Sequence, residues 1–144
     1  MVLVPTPERE DAGALLAGRE GRLLDSILRA MGLAREQIYL ASALPAAVAM
    51  PDWPGLAASG LARLTMHHIA LARPKRLLVF GKTDISSLIT HDPANNAAIL
   101  PSVNQEGTSV PVALDYALAT LLAQPSLKRR VWTNWLDWTE AGLQ

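Results

Sequence analysis

The alternation of short apolar segments with amphipathic segments constrains the fold of this chain more than any other feature of its sequence. Short apolar runs bounded by proline, glycine or polar residues are typical of buried strands, and apolar residues three and four apart are typical of helices. Four such strands each precede a helical segment, in the order β-α-β-α-β-α-β-α. Such alternation predicts a mostly parallel sheet with helices on both faces. We therefore expect an α/β fold, a three-layer α/β/α domain with a central sheet of about four strands.

The strands are predicted from apolar runs, and the helices from helical spacing. The apolar residues from Leu23 to Met31 recur at helical spacing, and Gly32 stands where a left-handed C-terminal cap belongs. Thr83 or Asp84 is predicted to cap a short helix that ends near residue 88. The predicted strands cover residues 1–4, 37–44, 76–80 and 110–114, the predicted loop covers 45–56, and the predicted irregular connection covers 91–107 with a short strand at 98–100.

Length and composition indicate one folded domain over residues 1–144. The chain has 144 residues, of which 50% are hydrophobic and 18% are charged, so a core of ordinary size is expected. Thirteen basic residues balance thirteen acidic ones, and this balance gives no overall field that would attract a polyanion. Contact with nucleic acid would therefore depend on a local basic patch. Because the first apolar run is so short, we also expect further residues upstream of Met1.

The absence of cysteine excludes several classes of site. It excludes a disulfide framework, a thiol nucleophile, a zinc ribbon and an iron–sulfur cluster held by four thiolates. No apolar run reaches about 18 residues, and the N-terminus lacks a secretory signal pattern. We expect a cytoplasmic protein with no cofactor, no metal and no membrane contact.

A glycine-lysine-threonine sequence, Gly81-Lys82-Thr83, follows the third predicted strand. It is similar to the end of a phosphate-binding P-loop, but the full pattern needs a glycine five residues before Gly81, where this chain has Arg76. A tight turn from strand to helix is the preferred interpretation. Backbone amides at this turn remain candidates for holding one phosphate group of a nucleic acid.

The histidines do not form a metal site in this pattern. His67 and His68 are adjacent, so on a helix they point about 100° apart rather than along one face. His68 shares an apolar stripe with Leu61, Leu64 and Leu71, and is predicted to be a hydrogen-bonded core or boundary histidine. His91-Asp92 lies in a polar segment, and a solvated turn is preferred there over catalysis.

The last predicted helix carries three tryptophans within seven residues, Trp132, Trp135 and Trp138. One interpretation places them in the core against the sheet. The other exposes one or two of them to a protein partner, since tryptophan is enriched at binding hot spots. Both remain open, as do two roles for the basic run 128–130 (Lys128, Arg129, Arg130), which is either a solvated face or a phosphate contact.

Several segments, in this order and spacing, resemble the uracil-DNA glycosylase superfamily, specifically the bacterial iron–sulfur type known as family 4. Residues 18–25 read GREGRLLD, similar to the family's GRAGQLLD. Residues 69–81 read IALARPKRLLVFG, similar to IALLRPKVIVALG. Residues 110–132 resemble VPVVATYHPSYLLRNPELKRxxW, and residues 31–40 resemble IGL…VYI. The resemblance covers nearly the whole chain and implies the glycosylase fold.

The departures from the family pattern fall on its chemistry. The acidic residue of the family's GEAPG, which helps to activate water, has no counterpart in the region around Thr6. The asparagine that reads uracil falls at Ser42, and the histidine that stabilises the departing base anion falls at Ala117. The cluster cysteines are also absent. Since one such electrostatic donor can contribute a hundredfold or more in rate, the resemblance implies the fold without the activity.

A weaker likeness connects the chain with the psi subunit of the bacterial replicative polymerase, a small non-catalytic α/β protein that bridges the chi subunit and the clamp loader. Residues 24–33, Pro51 and residues 118–132 are similar to its pattern. The N-terminal tail by which psi reaches the clamp loader is missing.

The sequence thus predicts a non-catalytic domain that binds a protein partner or DNA. A protein would dock on Trp132, Trp135 and Trp138, and DNA would contact Gly81, Lys82, Thr83 and residues 128–130. The alternative is an active DNA glycosylase with an unrecognised catalytic set, such as Asp115 with Tyr116. The degenerate site is expected near Thr6, Ser42, Asp115, Tyr116 and Ala117.

Overall fold

The computed structural model describes residues 1–89, 102–105 and 108–141, and within them five strands form one sheet. The strands are β1 (Val2–Val4), β2 (Leu40–Ser42), β3 (Leu77–Phe80), β4 (Ser102–Gln105) and β5 (Thr108–Asp115). Their spatial order is β2-β1-β3-β5-β4. Neighbours among the first four are parallel, whereas β4 pairs with β5 antiparallel. The predicted mostly parallel sheet is confirmed.

The fifth strand corrects the prediction of an irregular connection at 91–107. β4 lies in that segment and pairs with β5 through partners from Ser102 and Pro111 to Gln105 and Thr108. Its sequence is mostly polar and lacks the apolar alternation that predicts a buried strand. An edge strand in an antiparallel pair does not need that alternation, because one face of such a sheet can meet solvent. The predicted strand at 98–100 lies outside the described residues.

Six α-helices are described. α2 corrects the prediction that 45–56 is a loop. The Asp52 carboxylate accepts a hydrogen bond from the backbone N–H of Gly55 at 3.3 Å, and Pro54 suits the first turn of a helix. A π-helical turn with Gly60 at φ 117° joins α2 to α3. The helices are α1 (Arg19–Ala30), α2 (Trp53–Leu56), α3 (Ala62–Ala72), α4 (Lys82–Ile89), α5 (Leu118–Ala123) and α6 (Lys128–Ala141).

The core lies on both faces of the sheet. On one face Leu3 and Val79 pack with Ile69 of α3, and on the other Phe80 packs with Leu24 of α1 and other residues. Val79 and Phe80 point to opposite faces because side chains alternate along a strand. Both are 0% exposed, so the helices cover both faces and the three-layer prediction is confirmed.

The ends and faces of two helices test the sequence predictions further. Gly32 has φ 74°, and its N–H donates to Arg29 O at 3.1 Å while that of Leu33 donates to Leu28 O at 2.8 Å, as expected for a left-handed C-terminal cap. In α3 the predicted apolar stripe is wrong. Leu64 and Leu71 are 64% and 69% exposed, and the buried face is the one with Ile69. The helix is apolar on more than one side, so periodicity alone does not select the buried stripe.

Candidate functional site

The carboxyl ends of β1 and β3 mark the point where the strand order reverses. From β1 the chain crosses to β2 on one side, and β3 and β5 follow on the other. In open α/β sheets ligands bind in the crevice at such a point. At this point β3 approaches the segment after β1 closely, because a Cβ atom at Gly81 would collide with the ring of Pro5. Gly81 also has φ 112°, so glycine is required there for both space and backbone conformation.

The turn after β3 is a tight connection to a helix, as the sequence predicts. The Gly81 N–H donates to Asp115 O at 2.8 Å, and the Gly81 carbonyl accepts from the N–H groups of Asp84 and Ile85. The Gly81 amide is therefore engaged within the fold, whereas contact of this turn with a phosphate group stays a prediction. Since α4 begins at Lys82, Thr83 and Asp84 lie in its first turn rather than capping it.

A group of charged and aromatic side chains lies at the neighbouring ends of β3 and β5. Lys82 begins α4, Asp115 ends β5, Tyr116 follows it, and Arg130 reaches the same place from α6. The Lys82 Nζ atom is 4.1 Å from the centre of the Tyr116 ring, and the Arg130 Cζ atom is 5.8 Å from it. Both distances suit cation–π contacts. We call these four residues and Asn134 the strand-end cluster.

Asp115 is the buried anchor of the strand-end cluster. It is 3% exposed, its Oδ1 accepts from the Tyr116 N–H at 2.7 Å, and its Oδ2 accepts from Asn134 Nδ2 at 3.3 Å. Burial raises the pKa of Asp115, against the opposing effect of these two hydrogen bonds and of the charges on Lys82 and Arg130. The carboxyl thus binds a proton more readily than an exposed aspartate.

Asn134 is a site residue that the sequence reasoning missed. It lies one helical turn after Arg130, so the two side chains share a face of α6. That spacing was the available signal, since Arg130 was already a candidate. The cluster as a whole presents two cations beside a half-buried ring, an arrangement suited to phosphate groups.

The positions that correspond to the family's catalytic residues lie at the ends of β1, β2 and β5. The Ser42 hydroxyl donates to Leu44 O at 2.6 Å, and Ala117 is the N-cap of α5 with its carbonyl accepting from Leu121 N at 3.0 Å. The backbone beside Thr6 is tied to the segment after β2, because Pro5 O accepts from Leu44 N at 3.0 Å. These contacts leave Ser42 turned toward its own loop.

Three acidic residues lie between β1 and α1, and two of them, Glu8 and Asp11, accept backbone hydrogen bonds in this segment. The Glu8 carboxylate accepts from the N–H groups of Gly18 and Glu20 at 2.6 and 2.8 Å, at the start of α1. Asp11 accepts from the N–H groups of Leu16 and Ala17. Although desolvation acts to raise it, these backbone hydrogen bonds and that from the Glu8 N–H hold the pKa of Asp11 below its usual value. Both carboxylates therefore organise the loop after β1.

The basic run 128–130 is divided between two surfaces. Arg130 belongs to the strand-end cluster, whereas Lys128 lines a separate groove between α1 and α6. Arg129 and Thr83 are exposed. The structure therefore brings together Lys82 and Arg130 out of the predicted nucleic-acid contacts and places Lys128 elsewhere.

The structure divides the three tryptophans between the two interpretations that the sequence left open. Trp138 is 7% exposed and lies beside the Arg76 guanidinium at 5.4 Å, so it packs in the interior. Its ring meets that of Trp135 edge to face at 5.4 Å, and Trp135 is half-buried. Trp132 is 41% exposed and is the tryptophan of this group most available to a partner.

The two described histidines, His67 and His68, both lie on α3. His68 lies at the surface boundary and its Nε2 is 2.7 Å from the Tyr39 hydroxyl, so the predicted hydrogen-bonded boundary histidine is confirmed. His91 and Asp92 lie outside the described residues. Within residues 1–89, 102–105 and 108–141, no group of three His, Cys, Asp or Glu residues is placed to hold a metal ion, and no helix is long and apolar enough to cross a membrane.

A family model places these features in a known superfamily. The model for the uracil DNA glycosylase superfamily matches residues 4–135, which include the ends of all four parallel strands and every residue of the strand-end cluster. The chain belongs to the uracil-DNA glycosylase superfamily. A search among curated proteins finds no significant match. Superfamily membership confirms the resemblance and the fold, while assignment to family 4 and the loss of catalysis stay predictions.

Proposed function

We propose that this member of the superfamily binds nucleic acid through Lys82, Tyr116 and Arg130 and does not excise bases. The observation that carries the proposal is the pair of cations at 4.1 and 5.8 Å from the Tyr116 ring. They lie at the carboxyl edge of the parallel strands, where α/β proteins bind their ligands.

The strand-end cluster has the chemistry of a backbone-binding site. Lysine and arginine bind phosphate by charge, and the Tyr116 ring holds both cations at the same place through cation–π contacts. Asp115 is the buried member of the cluster, since it is 3% exposed and accepts hydrogen bonds from Tyr116 and Asn134.

Base excision requires groups that activate water and stabilise the departing base anion. Alanine at position 117 supplies neither, and the Ser42 hydroxyl already donates within its own loop. The nearby acids Glu8 and Asp11 accept backbone hydrogen bonds that hold the segment before α1. These features support binding without excision.

A second candidate function is an active glycosylase that uses Asp115. The pKa of this carboxyl is raised by burial, and perturbed carboxyls at the ends of strands are frequent in active sites. Against it, both Asp115 oxygens already accept hydrogen bonds, from the Tyr116 backbone and from Asn134. An assay of excision decides between the candidates.

The test measures cleavage of uracil-containing single- and double-stranded DNA, together with binding of the same labelled strands by fluorescence anisotropy at several salt concentrations. We expect no cleavage above a protein-free blank, and binding that weakens as salt increases. The variant K82A/R130A should reduce affinity about tenfold at low salt. It should also reduce the slope of log affinity against log salt by about 1.5, because two phosphate contacts are removed.

The matched control is R29A/K75A, which also removes one arginine and one lysine. Arg29 lies near the end of α1 and Lys75 just before β3. Both are therefore near the amino ends of the strands, whereas the strand-end cluster lies at the carboxyl ends. The control should bind like the unmodified protein. Equal losses in the two double variants would refute binding at the cluster. Excision of uracil that D115N abolishes would establish the second candidate instead.

A further inference from the structure

An apolar groove runs between α1 and α6, on a surface separate from the strand-end cluster. It encloses about 350 Å³. Its floor is formed mainly by Leu23, Ile27 and Met31 on the α1 side and by Val131 and Trp132 on the α6 side. This volume is within the range of binding pockets, roughly 300–1,000 Å³.

The groove continues into exposed apolar surface along α6. Trp132 is 41% exposed, and Leu136, one helical turn later, is 42% exposed. Leu23 and Val131 are buried beneath them at 9% and 5%. Two large apolar side chains one turn apart, beside a groove between helices, form the kind of surface that receives the apolar face of another helix.

Basic residues predominate among the charged side chains in and beside the lining of the groove. Lys128 lines it directly. Ser26 also lines it, and the exposed residues Arg22 and Arg29 lie one turn before and after Ser26 on α1. The acidic residue between them, Asp25, is 2.9 Å from the Arg35 guanidinium in an ion pair. The rim of the groove, formed by Arg22, Arg29 and Lys128, therefore carries positive charge, because Asp25 is paired with Arg35.

We propose that this groove binds an acidic amphipathic helix of a protein partner. The partner's apolar face would cover Trp132, Ile27 and Met31, and its carboxylates would lie against Arg22, Arg29 and Lys128. Tryptophan at the centre of a groove is one of the residue types that dominate binding energy at protein interfaces, and arginine is enriched there as well. Charge complementarity of this kind selects the partner and speeds association.

This inference is independent of nucleic-acid binding at the strand-end cluster. Lys128 and Arg130 belong to the same helix but to different surfaces, so each site has its own basic residue. A variant that disables one site should leave the other intact.

The experiment uses two synthetic helical peptides with the same leucines at helical spacing. One has glutamate at its other exposed positions and the second has lysine. Binding of each labelled peptide to the full chain is followed by anisotropy, and NMR of methyl-labelled protein reports whether the Ile27 methyl groups shift. We expect the glutamate peptide to bind at least about tenfold more tightly and to shift Ile27, since complementary charge favours it.

Variants locate the binding surface. W132A should weaken binding of the glutamate peptide about tenfold. The control L64A removes a more exposed apolar side chain, 64% exposed, from α3 on the other face of the sheet, and should change nothing. Equal binding of the two peptides, equal effects of W132A and L64A, or no binding of either peptide would overturn the proposal. Dimerisation of the chain that W132A abolishes would also overturn it, because a second copy would then occupy the groove.

Discussion

The strand-end cluster and the groove share one helix but differ in chemistry. Arg130 reaches the ring of Tyr116 beside a buried carboxylate, whereas Lys128 lines a groove whose floor is apolar. Side chains two residues apart on a helix point about 200° apart, so neighbouring cations face different surroundings. A basic run in a sequence is therefore not one site, and each of its residues has to be assigned by the surface that it meets.

The largest expected effect is on stability, and it distinguishes a tryptophan in the core from a tryptophan at the groove. Trp138→Ala should lower the free energy of unfolding by about 3 kcal/mol, because it empties a buried aromatic site. Trp132→Ala should lower it by less than about 1 kcal/mol, because its side chain is 41% exposed. Urea denaturation of both variants measures the difference, and similar losses would contradict the assignment of Trp132 to a surface.

Two charge reversals test whether the strand-end cluster and the groove are separate binding sites. Arg130→Glu should weaken DNA binding by about tenfold, or about 1.4 kcal/mol, and leave binding of the glutamate peptide unchanged. Lys128→Glu should weaken binding of the glutamate peptide and leave DNA binding unchanged. Anisotropy titrations of both variants, with labelled DNA and with the labelled glutamate peptide, measure all four effects. If each reversal weakened both probes equally, the two surfaces would be one site.

The smallest effect concerns the buried carboxyl of the strand-end cluster. Asp115→Asn should raise stability at neutral pH by up to about 1 kcal/mol, the usual scale for one polar substitution. Burial raises the folded-state pKa of Asp115, so its ionised form opposes folding. An asparagine avoids that cost while its Oδ1 accepts from the Tyr116 N–H, provided that the Asn134 amide turns its oxygen toward the new Nδ2–H group.

The pH dependence of this substitution has a defined sign. Between the unfolded pKa of Asp115, about 3.9, and its higher folded pKa, the folded state binds more protons than the unfolded state. The stability of the unmodified protein attributable to this group therefore decreases as pH rises through that window. The advantage of Asp115→Asn should shrink as pH falls, as followed by thermal unfolding at several pH values. An advantage that grows toward acid pH would be inconsistent with a raised pKa.

Much of the fold was predictable because it depends on local patterns. Short apolar runs identified the four parallel strands, and Gly32 marked the end of α1 as observed. β4 and α2 were missed because neither has a strong pattern of its own. β4 depends on pairing with β5, and α2 depends on one capping contact from Asp52.

The candidate site was predictable in its members but not in its arrangement. Lys82, Asp115, Tyr116 and Arg130 were all candidates, but only the parallel order of β3 and β5 brings them together. Asn134 was missed because an asparagine on a polar helix face resembles any solvated residue. The burial of Asp115, which gives it an unusual pKa, likewise depends on α6 packing over the end of β5.

The contact between Pro5 and Gly81 has a consequence for sequence divergence. Because any side chain at 81 would collide with the Pro5 ring, a replacement of Gly81 is tolerable only alongside a smaller residue at position 5. The positive φ at 81 penalises most replacements even then. In a deep mutational scan, a smaller residue at position 5 should therefore rescue only those replacements of Gly81 that accept this φ, although the two positions are 76 apart in the sequence.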